Sequence, residues 1–223
     1  MVGLCEWPGR ATISVMSERD ETVQFFESFY AGAGDDYSQI PWARLSPGPP
    51  LIDWLDAEPP AAGTVALVVG CGLGDDAEEL ARRGCVVEAF DVSRTAIETA
   101  RRRFPDSTVS YRVADLFELP SDWRGRFALI VEVQTIQSLP PNDHRAAIAA
   151  ISDCLAPGGR MFVRTALRRE EVPAVSRPWP LTLAELHGFE DEGLELTARR
   201  EADEHAFMHL EYRRRQQHAN GCN

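Results

Sequence analysis

The chain has 223 residues, of which 35 are acidic and 23 basic, giving a formal net charge of −12, and 44% of it is hydrophobic. That length suits one α/β domain with a sizeable core, and the apolar and aromatic content excludes intrinsic disorder over most of it. The acidic balance argues against nucleic-acid phosphate or an anionic membrane surface as the main partner, which leaves a small molecule.

No apolar run approaches the roughly 20 residues that span a bilayer. Glu6, Pro8 and Arg10 stand where a signal peptide needs an apolar core, so a cytoplasmic protein is expected. The basic residues are all Arg. Cys5, Cys71, Cys85, Cys154 and Cys222 are odd in number and scattered, with no C-x-x-C pair, and are expected to be reduced thiols. There is no His/Cys/Asp cluster with metal spacing, so no metal is expected. A monomer or a weak homodimer is the expected assembly.

In chain order, residues 1–17 lack any periodicity and are expected to be a loose extension, with Met16 as a possible start of the native protein. Glu18 to Tyr30 places Val23, Phe26 and Tyr30 at helical spacing, with Phe25 and Phe29 alongside. A Gly/Asp turn follows from Ala31 to Asp36, then a Pro-rich stretch, then a short helix over Leu51–Leu55 stopped by Pro59-Pro60. Thr64–Val69 is a nearly continuous apolar run, as expected of a parallel strand buried on both faces. Helices are expected over Asp75–Arg83, from the Ser93 cap to Arg103, and over Asn142–Leu155. Strands are expected over Val86–Phe90, Val109–Ala114 and Phe127–Val133, and over Arg160–Thr165 after a Pro157-Gly158-Gly159 turn. Thr182 opens a further helix through His187. Leu194–Glu201 and Phe207–Arg213 alternate as a final strand pair, and residues 216–223 are expected to fray.

Alternating strands and helices imply one doubly wound, Rossmann-like α/β domain over 18–215, with an antiparallel strand added by the last pair. Residues 18–60 are expected to form an N-terminal helical lid on it.

The strongest chemical signal is Gly70-Cys71-Gly72-Leu73-Gly74, between the first strand and a helix. Glycines there turn the chain tightly and let a ligand approach the backbone at the carboxyl end of a strand. Asp91 closes the next strand about 20 residues on, where a carboxylate accepts from ribose hydroxyls. Asp115 closes the third strand, where an acceptor suits the exocyclic amine of adenine.

Together with Leu155-Ala156-Pro157-Gly158-Gly159, these residues resemble the signature of the class I S-adenosylmethionine-dependent methyltransferases, over about Leu51 to Arg213. The resemblance implies a seven-stranded sheet with the last strand antiparallel. It also implies that Gly70, Cys71, Gly72 and Gly74 pack on the methionine part, Asp91 and Val92 serve the ribose, and Asp115-Leu116 flank adenine.

Within that class the aromatic N-terminal helix, Pro41-Trp42 and Pro178-Trp179-Pro180-Leu181-Thr182 resemble the thiopurine and thiol branch. The resemblance implies that Phe26 and Tyr30, four apart, close over the ligands, with Trp42 beside them and Trp179 near the acceptor. The chain departs from that branch where Glu132-Val133 replaces an Asp-Arg pair. Arg44 offers a partner for a carboxylate of the cofactor or of an acidic substrate.

Methyl transfer from a sulfonium is an in-line displacement that needs proximity and a dry site more than a strong base. The loop after the fourth strand supplies Glu132, Gln134 and Gln137 to orient the ligands. No residue is marked as a strong base, which favours a thiol acceptor. The alternatives are an O- or N-methyltransferase of a small aromatic metabolite, a nicotinamide-dependent oxidoreductase and a non-catalytic cofactor-binding module.

Overall fold

The computed structural model describes residues 18–201 and 207–216. The expected loose segment 1–17 and all of the expected tail beyond Gln216 lie outside the described residues. Helix α1 (Glu18–Ala33) carries Glu18, Asp20 and Glu21 in its first turn, where the helix dipole favours acids. It runs through the first residues of the expected turn. Helix α2 (Pro49–Ala57) has Pro at its start, where a missing N–H costs no hydrogen bond.

The sheet then begins with β1 (Val65–Val69), α3 (Asp75–Arg82), β2 (Val86–Asp91), α4 (Arg94–Arg103) and β3 (Ser110–Val113). Ser93 caps α4, its hydroxyl accepting from the Ala96 N–H at 3.0 Å. β4 (Phe127–Val133), α5 (Pro141–Cys154) and β5 (Leu155–Ala166) follow. The expected Pro157-Gly158-Gly159 turn is absorbed into β5, which pairs from Leu155 with a register shift opposite Phe127–Leu129. The helix expected over Thr182–His187 is two single turns, α6 (Leu183–Leu186) and α7 (Gly188–Asp191). α6 opens on a Thr182–Glu185 capping box. β6 (Leu194–Glu201) and β7 (Phe207–Arg214) complete the fold.

The seven strands lie in the order β3-β2-β1-β4-β5-β7-β6. β1 to β5 pair in parallel, and β7 is antiparallel to both of its neighbours. β7 is thus the last strand in the chain but not at the sheet edge. One face of the sheet packs Leu67, Ile130 and Met161 against α5 and α7. The other packs Val68, Val131 and Phe162 against α2, α3 and α4. With both faces covered, the carboxyl ends of the parallel strands are where a ligand can meet the sheet, and α1 lies across them. None of the described helices is long and apolar enough to cross a membrane.

Candidate active site

β1 ends at Val69, and the chain turns at Gly70 (φ 58°) and again at Gly72 (φ 52°), a left-handed backbone that side chains resist. Space closes the argument. A Cβ on Gly70 would strike the Thr135 side chain, and one on Gly72 would stand 3.0 Å from the Tyr30 hydroxyl. The loop therefore shows bare backbone to the cavity beside it. Gly74 lies beneath, against Tyr111 and Ala100, and is not part of the cavity wall.

Asp91 fixes this loop to the next strand. Its Oδ2 accepts from the Gly72 N–H and its Oδ1 from the Ser93 N–H, both at 2.9 Å. Burial pushes its carboxyl above the usual range, opposed by those backbone donors. Each oxygen keeps a second lone pair for a ribose hydroxyl. The Asp115 Oδ1 accepts from the Phe117 N–H at 2.9 Å and turns Leu116 and Phe117 along the cavity. Burial, and next the charge of Asp91, push the Cys71 thiol well up, which disfavours its thiolate.

The cavity holds about 660 Å³, within the range of small-molecule sites. The structure brings Gly70, Cys71, Gly72, Asp91, Val92, Asp115 and Leu116 to one end of it. Phe26, Tyr30, Trp42 and Arg44 line it from the N-terminal segment. The Trp42 indole N–H donates to the buried Tyr30 hydroxyl at 2.9 Å. Burial and the nearby Asp91 charge raise the Tyr30 phenol well above its ordinary value.

Of the three orienting residues expected after β4, Gln134 and Gln137 line the cavity and Glu132 does not. Glu132 occupies the opposite pleat from Leu129, Val131 and Val133, so it points to the α5 face and is fully buried. Its Oε1 accepts from the Thr135 and Ile136 N–H groups at 2.7 and 3.0 Å, and its Oε2 has no partner among the described residues. Burial raises its pKa to about 7. It shapes the loop from behind and touches no ligand space. Gln134 sits at φ 63°. The Gln137 Oε1 accepts from the Thr165 hydroxyl at 3.1 Å and the Ala166 N–H at 2.5 Å, tying this loop to β5. Trp179 also lies off the cavity wall, with its backbone N–H on the Gln137 carbonyl at 2.6 Å.

Sequence reasoning missed several residues here. Glu27 projects from α1 onto the start of α4, accepting from the Ser93 hydroxyl at 2.6 Å and from the Thr95 N–H at 3.2 Å and hydroxyl at 2.5 Å. A polar residue among the aromatics of α1 was its only signal. Arg164 and Arg177 both line the cavity, and Arg177 was visible only as the neighbour of Pro178-Trp179. Thr135, close against Gly70, carries no signal at all in a polar loop.

The described residues hold no group of three or more His, Cys, Asp or Glu suited to a metal. The titratable carboxylates on the cavity wall are aspartates, and no His lines it among the described residues.

A family model described as a methyltransferase domain matches residues 66–159, from β1 to the glycines of β5. The chain is 32% identical over 150 residues to a ubiquinone biosynthesis O-methyltransferase of Xylella fastidiosa, covering 66% of this chain and 59% of that protein. It is 33% identical over 132 residues to the protein of that name from Xanthomonas oryzae, covering 58% and 54%. The match thus spans little more than half the length of these curated relatives. Among solved structures, it resembles an N-methyltransferase from Bradyrhizobium japonicum bound to S-adenosylhomocysteine, with a TM-score of 0.67 at 24% identity, over 87% of this chain and 99% of that one. Magnesium protoporphyrin IX methyltransferase from Synechocystis, with bound S-adenosylmethionine, gives 0.67 at 16% identity over 91% and 100%. The architecture is that of the S-adenosylmethionine-dependent methyltransferases.

Proposed function

We propose that this chain is an S-adenosylmethionine-dependent methyltransferase of a small aromatic molecule, and that the methyl goes to a hydroxyl oxygen. The observation that carries the first part is the bare backbone at Gly70 and Gly72, locked to Asp91 and opening on a cavity that the aromatics of α1 also line. A glycine backbone with no room for side chains, next to a carboxylate with free lone pairs, fits a nucleoside with an amino-acid tail. The hydroxyl acceptor draws support from the curated relatives, which are named O-methyltransferases, and it replaces the thiol acceptor that the sequence pattern favoured.

S-adenosylmethionine brings an activated methyl on sulfur. The chain binds and orients. Gly70 to Gly72 take the methionyl part, Asp91 with Val92 takes the ribose, and Asp115 with Leu116 takes the adenine. Arg44 stands at the exposed edge, where it can meet the methionyl carboxylate. Residues 18–60 act as a lid that keeps water out, which sulfonium chemistry requires. Gln134 and Gln137 border the acceptor, and position the oxygen for in-line attack.

The test is a methyl-transfer screen over phenols, thiols and amines that follows S-adenosylhomocysteine release. Turnover with phenols and not with thiols is the expected result. Turnover confined to thiols would restore the thiol reading, and failure to bind S-adenosylhomocysteine would end the methyltransferase one.

A further inference from the structure

Resting on that reading of the site, the geometry points to an acceptor that is a planar aromatic bearing a carboxylate, with Arg177 as the residue that binds the carboxylate. The protein has a net charge of −12, yet four arginines, Arg19, Arg44, Arg164 and Arg177, line this one cavity. Their surroundings differ. The Arg19 Nη2 lies 3.1 Å from Asp143. Arg44 and Arg164 both act electrostatically on the carboxylate of Asp76.

Arg177 forms no ion pair with a carboxylate of the cavity wall among the described residues. Its Nη2 donates to the Thr22 hydroxyl at 2.7 Å, and its Nε is buried with no partner among the described residues. The guanidinium lies 4.1 Å from the Phe25 ring centroid, 5.0 Å from Trp179 and 5.3 Å from Phe26. Among the described residues the acid whose charge reaches it is Glu21, on the solvent side of α1. Burial among these rings holds its pKa below the ordinary arginine value, and the charge of Glu21 offsets that only in part.

A guanidinium has five donors in a fixed fork that matches a carboxylate, and Arg177 spends one of them within the protein. A half-buried cation without an ion-pair partner carries a desolvation cost, which the attraction of an incoming carboxylate can offset and a neutral group cannot. Phe25 and Phe26, with Phe29 and Trp42 beside them, line the cavity and offer ring surface for the body of an aromatic acceptor.

Arg177 joins the segment after β5 to α1 through Thr22 and the phenylalanines, so it is also a staple. Losing a staple weakens every acceptor alike, whereas losing a carboxylate partner weakens only anions. Matched pairs separate the two. The full chain, saturated with S-adenosylhomocysteine, is titrated by calorimetry with 2-naphthoate against 2-naphthamide, 3,4-dihydroxybenzoate against its amide, and 4-hydroxycinnamate against its amide. The parent protein is expected to favour the carboxylate by about tenfold or more in at least one pair. Arg177→Gln should bring that ratio to about one while leaving the amide within about threefold. Arg177→Lys, which keeps the charge and loses the fork, should fall between and serves if the glutamine variant melts early. No preference in any pair, no carboxylate bound, or an equal loss for both members would overturn the assignment. Those outcomes leave the methyltransferase reading intact as long as S-adenosylhomocysteine binds. Its failure to bind would sink that reading instead.

Discussion

Where the cavity meets the end of β1 it is walled by the backbone of the glycine loop, held by the Asp91 side chain of β2, and where it meets β4, β5 and α1 it is walled by side chains. The first wall is local: Gly70 to Leu73 follow β1 directly, and Asp91 holds them through N–H groups of Gly72 and Ser93. The second wall is assembled at a distance, with Thr22 meeting Arg177 and Gln137 meeting Ala166. A backbone wall has little to adjust, since a Cβ added at Gly70 would strike Thr135 and one at Gly72 would crowd Tyr30, both on the cavity wall. A side-chain wall can change its occupant while the sheet stays as it is. The first should therefore be the common part of the site and the second the part that selects the acceptor.

The backbone wall gives the largest expected effect. Gly72→Val adds a branched side chain where even a Cβ stands 3.0 Å from the Tyr30 hydroxyl, on a residue at φ 52°. S-adenosylhomocysteine affinity should fall by about 100-fold or more, and the ligand's thermal stabilisation should vanish. Normal binding by this variant would break the distinction between the two walls. Asp91→Ala comes next, with an expected loss of roughly 2–4 kcal/mol in cofactor binding by calorimetry. Affinity within about twofold of the parent would mean that Asp91 only ties the turn.

The same division decides what the sequence could reveal. The alternation of apolar runs with capped helices made the order of elements and the sheet readable, because each signal lies within ten or so neighbouring residues. Ser93 as a cap and Phe127–Val133 as a strand appear where expected. The position of Gly70, Gly72, Asp91 and Asp115 on the cavity wall was readable for the same reason, each placed by the end of its own strand. Glu132 misled because the residue type fits the chemistry, and only the pleat of β4 reveals that it faces α5. Arg177 and Glu27 were silent because their meaning lies in partners 155 and 66 residues away.

Glu132 offers a sharper view of how a side chain can hold a wall it does not line. Its folded pKa of about 7 exceeds the roughly 4.3 of a free glutamate, so the folded state binds the extra proton between those values. Stability from this group is then full below about pH 4.3 and is lost as pH rises to about 7. Glu132→Gln keeps an acceptor for the Thr135 and Ile136 N–H groups and removes the titration. Relative to the parent, the variant should gain roughly 3 kcal/mol of stability between pH 4.5 and 7.5 and little beyond, measured by urea unfolding. Asp91 titrates in both proteins and cancels. A stability difference that does not change with pH would show that Glu132 stays ionised, and that its Oε2 meets water.

The smallest effect is expected where the two walls are joined. The turn from Asp91 to Thr95 serves both, since Asp91 holds the glycine loop while Ser93 and Thr95 donate to Glu27 of α1. Burial tends to raise the Glu27 pKa, but the bonds from Ser93 and Thr95 outweigh it and hold the carboxyl low. Because the folded value is depressed, the contribution is present above the free glutamate range and lost only as pH falls below it. Glu27→Gln keeps the size of the side chain and gives up the charge that strengthens these bonds, which costs about 1 kcal/mol. Two readouts locate that cost. Amide exchange should quicken along α1, while the α3 and α4 amides stay as slow as in the parent. S-adenosylhomocysteine should bind several-fold more weakly, because the ligand must then order α1 as well as occupy its cradle. If exchange quickens but affinity holds, the two walls are independent and α1 is no lid for the cofactor. If neither changes, the ring contacts of Phe25, Phe26 and Phe29 with Trp42 hold α1 without help from Glu27.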